Sequence, residues 1–245
     1  MTKNKTIPKV NGSYRLPIAS SDIILAASIL GADPLNLERD LRDAEKTGQV
    51  QWVQVDVMDG YFTPNISFGP DVVGEIAKKS SLFIDVHLMV SRPKRLLDIF
   101  ARKGAGLITV HLEAKDSPKE CLQAIRKLGK FSGLAIMPKT PIKKALPLIH
   151  LVDLLLVMTV EPGFAGQGFL DYCVPKISEA QKILSQRNGP TKWLEVDGGV
   201  NAGSIPKVIG AGANVLVCGS AIFKEPPQKS VPNLRQIMEK SLKNK

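Results

Sequence analysis

Only three cysteines occur, Cys121, Cys173 and Cys218, far apart and without a CxxC pair. Their scarcity excludes a disulfide framework and a cysteine-built metal site, and it fits a reducing cytoplasm. No apolar run approaches the ~18 residues that a membrane span needs, so no membrane partner is expected. Residues 1–21 carry no acidic side chain and no apolar core of a secretory signal, so 1–22 read as a loose N-terminal extension. Aromatic residues are only 5%, and the lysines and arginines are dispersed along many segments. With no recognition motif beside them, the formal net charge of +10 reads as a dispersed, solvated basic surface rather than a nucleic-acid site. A GxGxxG turn is absent as well, which counts against a dinucleotide-binding open sheet.

What is present is a rhythm. From Ile23 onward, short runs rich in Val, Ile and Leu alternate with segments of helical period. The runs are IILAASIL, WVQVDVM, LFIDVHLM, LITVHLE, SGLAIM, LLLVMTV, WLEVDGGV and VLVCGSAIF. Each has the composition of a strand buried on both faces. Between them, DPLNLERDLRDAEKTG places Leu37, Leu41 and Ala44 on one stripe, with Asp33 as the expected N-cap and Gly48 at the stop. SPKECLQAIRKLG opens with Ser117 and Glu120 in capping-box spacing and closes on Gly129. Strand starts are evenly spaced except for one longer gap after LLLVMTV. A doubly wound sheet and a (β/α)8 TIM barrel both suit such alternation. The eight runs and their regular spacing favour the barrel, as one α/β domain over residues 23–245.

In such a barrel the chemistry lies at the C-terminal ends of the strands. Residues two apart share a face of a strand. Gln54, Asp56 and Met58 therefore point one way on the second run, Asp85, His87 and Met89 on the third, and Glu195 and Asp197 on the seventh. A barrel interior tolerates such groups only if they partner one another. A single Asp at a strand end is more often a turn or cap residue, but three strands with in-phase polar residues indicate a site. Asp197 should face Asp56 across the mouth, with His87 beside Asp56. Two carboxylates and an imidazole suit a divalent cation, and carboxylates on opposite sides of a substrate suit proton removal on one face and return on the other. His111 also ends a strand and, alone, reads as a satisfied structural histidine; His150 reads as surface. Glycine-rich stretches follow the sixth, seventh and eighth runs, EPGFAGQGF, DGGV and CGSAIF, where barrels often bind phosphate through backbone N–H groups.

At these residues the chain resembles the ribulose-phosphate 3-epimerase family. The matching stretches are SILGAD, VDVMDGYFTPNISFGP, DVHLMVSRP, HLEA, VMTVEPGFAGQGF, EVDGGV and GSAIF, in the family's order over roughly residues 23–224. The resemblance implies an isomerase that interconverts D-ribulose 5-phosphate and D-xylulose 5-phosphate through an enediolate, within the pentose phosphate pathway. It implies a divalent metal ion (Zn, Mn, Fe or Mg) as cofactor, a sugar phosphate as partner and a homo-oligomer. Asp56 matches the general base and Asp197 the opposing acid, both of them metal ligands. His87 matches a metal ligand near substrate, Ser28 a substrate contact, and Met58, Met89 and Met158 the lining of the intermediate. Gly163, Phe164, Ala165, Gly166, Gly198, Gly199, Gly219 and Ser220 match the substrate and phosphate loops. The family's strand 2 normally reads His-x-Asp with both residues on the metal, whereas here the first is Gln54, a poorer zinc ligand. Ala165 stands where glycine is common, and Gly31 where a small polar residue is common. Two alternatives follow: a 3-epimerase of another ketose phosphate, such as allulose 6-phosphate, or a metal-deficient phosphate-binding pseudoenzyme.

Overall fold

The computed structural model describes residues 23–186 and 193–243, together with a short antiparallel pair of strands, Lys9–Val10 and Ser13–Tyr14. The expected N-terminal extension otherwise lies outside the described residues. Eight parallel strands close into a barrel: β1 (Ile24–Ser28), β2 (Trp52–Met58), β3 (Phe83–Met89), β4 (Leu107–His111), β5 (Phe131–Ile136), β6 (Leu154–Met158), β7 (Trp193–Asp197) and β8 (Val215–Cys218). They follow one another round the ring in chain order, and β8 pairs back onto β1, Val215 beside Ile24. The (β/α)8 barrel expected from the sequence is therefore the observed fold.

The outer layer is α1 (Leu37–Lys46), α2 (Pro70–Lys79), α3 (Leu97–Lys103), α4 (Pro118–Lys127), α5 (Val174–Ser185), α6 (Ile205–Gly210), the single turn α7 (Ser220–Phe223) and α8 (Pro227–Lys243). Between β5 and β6 the covering element is a 3₁₀ run, Ile142–Leu151, which contains Pro147. Proline lacks the N–H that an α-helical interior needs. Ser117 caps α4 as expected, its hydroxyl accepting from the Glu120 N–H at 3.4 Å, but the Glu120 carboxylate pairs with Lys94 rather than closing the box. Asp33 does not cap α1. Its carboxylate accepts from the Leu35 N–H and the Asn36 amide, which makes a local turn, and the helix starts only at Leu37. Short acidic side chains compete for nearby backbone donors in this way.

Period-2 alternation sorts each strand. Outward residues such as Val53, Val55, Ile84, Val86, Ile108 and Leu155 pack under the helices in one large buried cluster. Inward residues form a second cluster along the barrel axis. Its base is aromatic: Trp52 lies 4.8 Å from Phe83 and 5.2 Å from Trp193, and Phe131 lies 5.5 Å from Trp193, between ring centroids. Each of these rings is the first residue of its strand, so together they close the N-terminal end of the barrel. Arg235 on α8 reinforces that end, donating to the carbonyls of Gln49 at 2.7 Å and Ile23 at 2.8 Å. The three cysteines are free and buried. Among the described residues, no helix is long and apolar enough to cross a membrane.

The interior is filled tightly enough that one added methyl has no room. A Cβ on Gly133 would lie 2.8 Å from Thr109 Cβ and 3.0 Å from its Cα, so no rotamer of Thr109 relieves the clash. Gly133→Ala is expected to destabilise by about 1–3 kcal/mol, seen as a lower urea midpoint at unchanged slope. An unshifted midpoint would show that β4 and β5 can separate freely.

Candidate active site

Register carries the inward polar residues to the C-terminal mouth at matching heights. Asp56 pairs with His87, Met58 with Met89, and Met158 with Asp197. Asp56 and Asp197 arrive from strands on different sides of the ring and meet at His87. The His87 Nδ1 lies 2.9 Å from Asp56 Oδ1 and 3.6 Å from Asp197 Oδ2. Ser28, at the end of β1, donates its hydroxyl to Asp56 Oδ2 at 2.8 Å. Ser67 fixes the end of β2 from the following loop, accepting from the Met58 N–H at 2.9 Å and donating to the Asp56 carbonyl at 2.5 Å. One donor atom from each of Asp56, His87 and Asp197 falls within 4.8 Å of the others, close enough to hold a metal ion. Two carboxylates and one imidazole are a common donor set for a first-row or alkaline-earth dication.

The charges depend on one another. Burial works against a charged His87, but hydrogen bonds and attraction from Asp197 and Asp56 outweigh it and raise the imidazole to about 9. Burial, then the nearby Asp56 charge, raises Asp197 to about 6, against the opposing pull of His87. Without a cation, the His87 proton thus holds the two carboxylates together. On its other side, His87 Nε2 is 2.8 Å from His111 Nε2, and His111 Nδ1 is 3.3 Å from Glu113. Burial lowers His111 to about 4, so it is neutral. Burial alone would raise Glu113, but bonds from His111, Thr140 and the Met137 N–H overcome it and hold Glu113 at about 2. The neutral His111 then donates from Nδ1 to Glu113 and accepts at Nε2 from His87. That order fixes the tautomer and leaves His87 Nδ1 to face the carboxylates, or a cation between them. His111 is satisfied, as the sequence suggested, but by the site itself; Phe62 packs against it at a tilt, with ring centroids 4.7 Å apart. Glu113 was the residue that sequence reasoning missed. Its signal was its place two residues after His111 in HLE.

One layer below lies a buried polar tier of Gln54, Asp85, Thr109 and Glu195. The Gln54 amide donates to Glu195 Oε1 at 2.9 Å across the barrel. Ionised, Asp85 and Glu195 would leave acceptor oxygens without any donor. Burial raises Asp85 to about 7 and Glu195 well above the ordinary carboxyl range. The two side chains face one another, so a proton held by one bonds the other.

Above the mouth is a cleft open to solvent. Ser28, Asp56, Met58, Met89, Met158 and Asp197 line it, together with the glycine loops Gly163–Gly166, Gly198–Gly199 and Gly219–Ser220. The structure thus brings the sequence-derived candidates to one place, except that His87 and Gln54 lie beneath the lining. Among the described residues, no Lys or Arg lines the cleft. Thr159 ties the last turn of β6 to β7, its hydroxyl donating to the carbonyls of Asp197 and Gly198. Asn65, after β2, donates its amide to the Gly163 carbonyl at 2.7 Å and anchors the loop that carries Phe164 and Ala165. Gly31, unusual by comparison with the family's pattern, has a local cause. A Cβ there would lie 2.5 Å from the Gly219 carbonyl carbon and the Ser220 nitrogen.

Glu113 gives the site a measurable acid dependence. Its folded value of about 2 lies below the ordinary 4.5, so the stability it contributes is present above 4.5 and is lost as pH falls toward 2. In metal-free protein the stability gap between wild type and Glu113→Gln is expected to be widest above pH 4.5 and to close at lower pH. Urea unfolding across that range checks it, and a gap independent of pH would remove Glu113 from the relay.

The Ribulose-phosphate 3 epimerase family model matches residues 24–223. A ribulose-phosphate 3-epimerase of Synechocystis sp. is 40% identical over 209 residues, 84% of this chain and 90% of that protein. That of Bacillus subtilis is 40% identical over 207 residues, 84% of this chain and 95% of that protein. A chloroplastic ribulose-5-phosphate-3-epimerase of Arabidopsis thaliana is 39% identical over 225 residues, 91% of this chain and 79% of that protein. Among solved structures, a 3-hexulose-6-phosphate synthase superposes with a TM-score of 0.67 at 19% identity, over 88% of this chain and all of that one, a likeness of fold alone. The matched residues span the barrel and every strand that supplies the mouth, and the chain belongs to the ribulose-phosphate 3-epimerase family.

Proposed function

We propose that this chain interconverts D-ribulose 5-phosphate and D-xylulose 5-phosphate by two-aspartate proton transfer. The observation that carries the reading is the meeting of Asp56 and Asp197, from different sides of the barrel, on the His87 Nδ1 beneath one cleft. Inverting a carbon needs a proton taken from one face and delivered to the other. A ketose held between the two carboxylates with C3 toward them meets that need. One aspartate takes the C3 proton, and the other returns a proton to the opposite face. Run backward, the two exchange roles.

The remaining residues position. Ser28 holds one Asp56 oxygen and His87 the other, so the carboxylate has a fixed direction. Met58, Met89 and Met158 line the reacting end of the cleft with polarisable, dry surface. We assign the phosphate to the backbone N–H groups of Gly198–Gly199 and Gly219–Ser220, with Gly163, Phe164, Ala165 and Gly166 covering the sugar. Glycines let a backbone approach an anion closely. The net charge of +10 favours the arrival of such an anion.

Asp56, His87 and Asp197 would hold a divalent cation, and Gln54 is the further donor candidate. A bound cation would stabilise the negative charge that develops on the substrate oxygens as the C3 proton leaves. The convergence of all three donors supports an active enzyme over a phosphate-binding pseudoenzyme. The free, buried thiols support a cytoplasmic setting, and the family's habits support a homo-oligomer.

Asp56→Asn and Asp197→Asn are each expected to lower epimerisation of D-ribulose 5-phosphate by about 10²–10⁴-fold, the usual worth of a positioned acid or base. Proton NMR in D2O should show wild-type protein washing deuterium into C3. Full activity in both variants would sink the two-aspartate mechanism. A higher kcat/KM for allulose 6-phosphate than for ribulose 5-phosphate would keep the mechanism and change the substrate.

A further inference from the structure

Gln54 occupies the inner face of β2 two residues before Asp56, fully buried, between Ser28 on β1 and Asp85 on β3 in the strand register. Its two amide ends are treated differently. The nitrogen donates to Glu195 Oε1 at 2.9 Å, on the strand that carries Asp197. The oxygen, Oε1, is shut off from solvent and has no hydrogen-bond partner among the described residues. A buried carbonyl oxygen left unpaired costs about 1–3 kcal/mol. A leucine of similar size would fill the same space without that cost. Glu195 takes the amide N–H, and nothing among the described residues meets the amide oxygen.

We infer that Gln54 Oε1 is a fourth donor to the divalent cation held by Asp56, His87 and Asp197, and that Glu195 is a positioning residue that turns the amide so that its oxygen is free. This rests on the reading of the Asp56–His87–Asp197 cluster as a metal centre. The consequence is selectivity. Two carboxylates, an amide oxygen and one imidazole form an oxygen-rich set. Such sets favour hard ions such as Mn²⁺ and Mg²⁺, whereas each imidazole added moves a site toward Zn²⁺. Gln54 therefore sets which ion this chain takes.

The test uses metal-stripped full-length protein, with Mn²⁺ and Zn²⁺ titrated calorimetrically into wild type, Gln54→Leu, Gln54→His and Asp56→Asn. The spectrum of bound Mn²⁺ is followed by electron paramagnetic resonance. Gln54→Leu is expected to weaken Mn²⁺ binding by about tenfold or more and to change the Mn²⁺ spectrum. Gln54→His keeps an N–H donor for Glu195 and should shift the ratio of Zn²⁺ to Mn²⁺ affinity toward Zn²⁺ by about tenfold or more. The histidine variant also guards against a leucine variant that fails to fold. Wild-type affinities and spectrum in Gln54→His, or in a leucine variant with an unchanged melting temperature, would overturn the assignment. If wild type binds Mn²⁺ or Zn²⁺ and Asp56→Asn does not, the metal centre stands whatever Gln54 does. If wild type takes up neither ion, the metal centre falls and the role of Gln54 falls with it.

Discussion

The mouth of the barrel turns on one crowded contact, the His87 imidazole held between Asp56 at 2.9 Å and Asp197 at 3.6 Å. Two carboxylates placed this near each other in a buried setting repel strongly unless something positive stands between them. In the protein alone that is the His87 proton. A dication there would supply the same positive charge, and Asp56, His87 and Asp197 are the side chains that would hold it. The requirement for a positive centre therefore defines the geometry before any substrate arrives. His111 and Glu113 serve it from behind, because they decide which nitrogen of His87 faces forward.

The tiers below answer to the same requirement. Interactions between charges grow as water is excluded. The ring of Trp52, Phe83, Phe131 and Trp193 closes the far end, and the cleft opens above the carboxylates. Between that dry base and the charged mouth sits the tier of Gln54, Asp85 and Glu195, whose two carboxyl groups burial pushes toward their neutral forms. A tier bonded across the barrel, from β2 to β7, ties together the two strands that bear the aspartates.

Most of this was legible in the sequence for a simple geometric reason. Side chains on parallel strands repeat every second residue, so Gln54, Asp56 and Met58, or Asp85, His87 and Met89, had to share the interior. The eight strands, the meeting of Asp56 with Asp197 and the glycine loops followed from that. Pairwise chemistry that depends on side-chain reach did not. Nothing in the order of residues says that Gln54 spans the barrel to Glu195, or that His111 meets His87 rather than the backbone. Asp33 was misassigned because its carboxylate serves a cap and a local turn equally well, and only the backbone chose the turn. Gly31 looked like an arbitrary departure until the chain after β8 was seen to pass against it.

The distribution of positive charge bears on how an anionic substrate would be held. The chain carries 33 lysines and arginines, yet among the described residues none lines the cleft. A lysine placed there would sit beside Asp56 and Asp197 and compete with His87 and a cation for them. It would lock the carboxylates in ion pairs when they need to exchange a proton. Backbone N–H groups of the glycine loops bring partial positive charge without that competition, and with no side-chain entropy to lose. On the proposed reading, the outer surface attracts the dianion from a distance and the loops grip it at close range. The two aspartates then share one positive partner, the cation or proton between them.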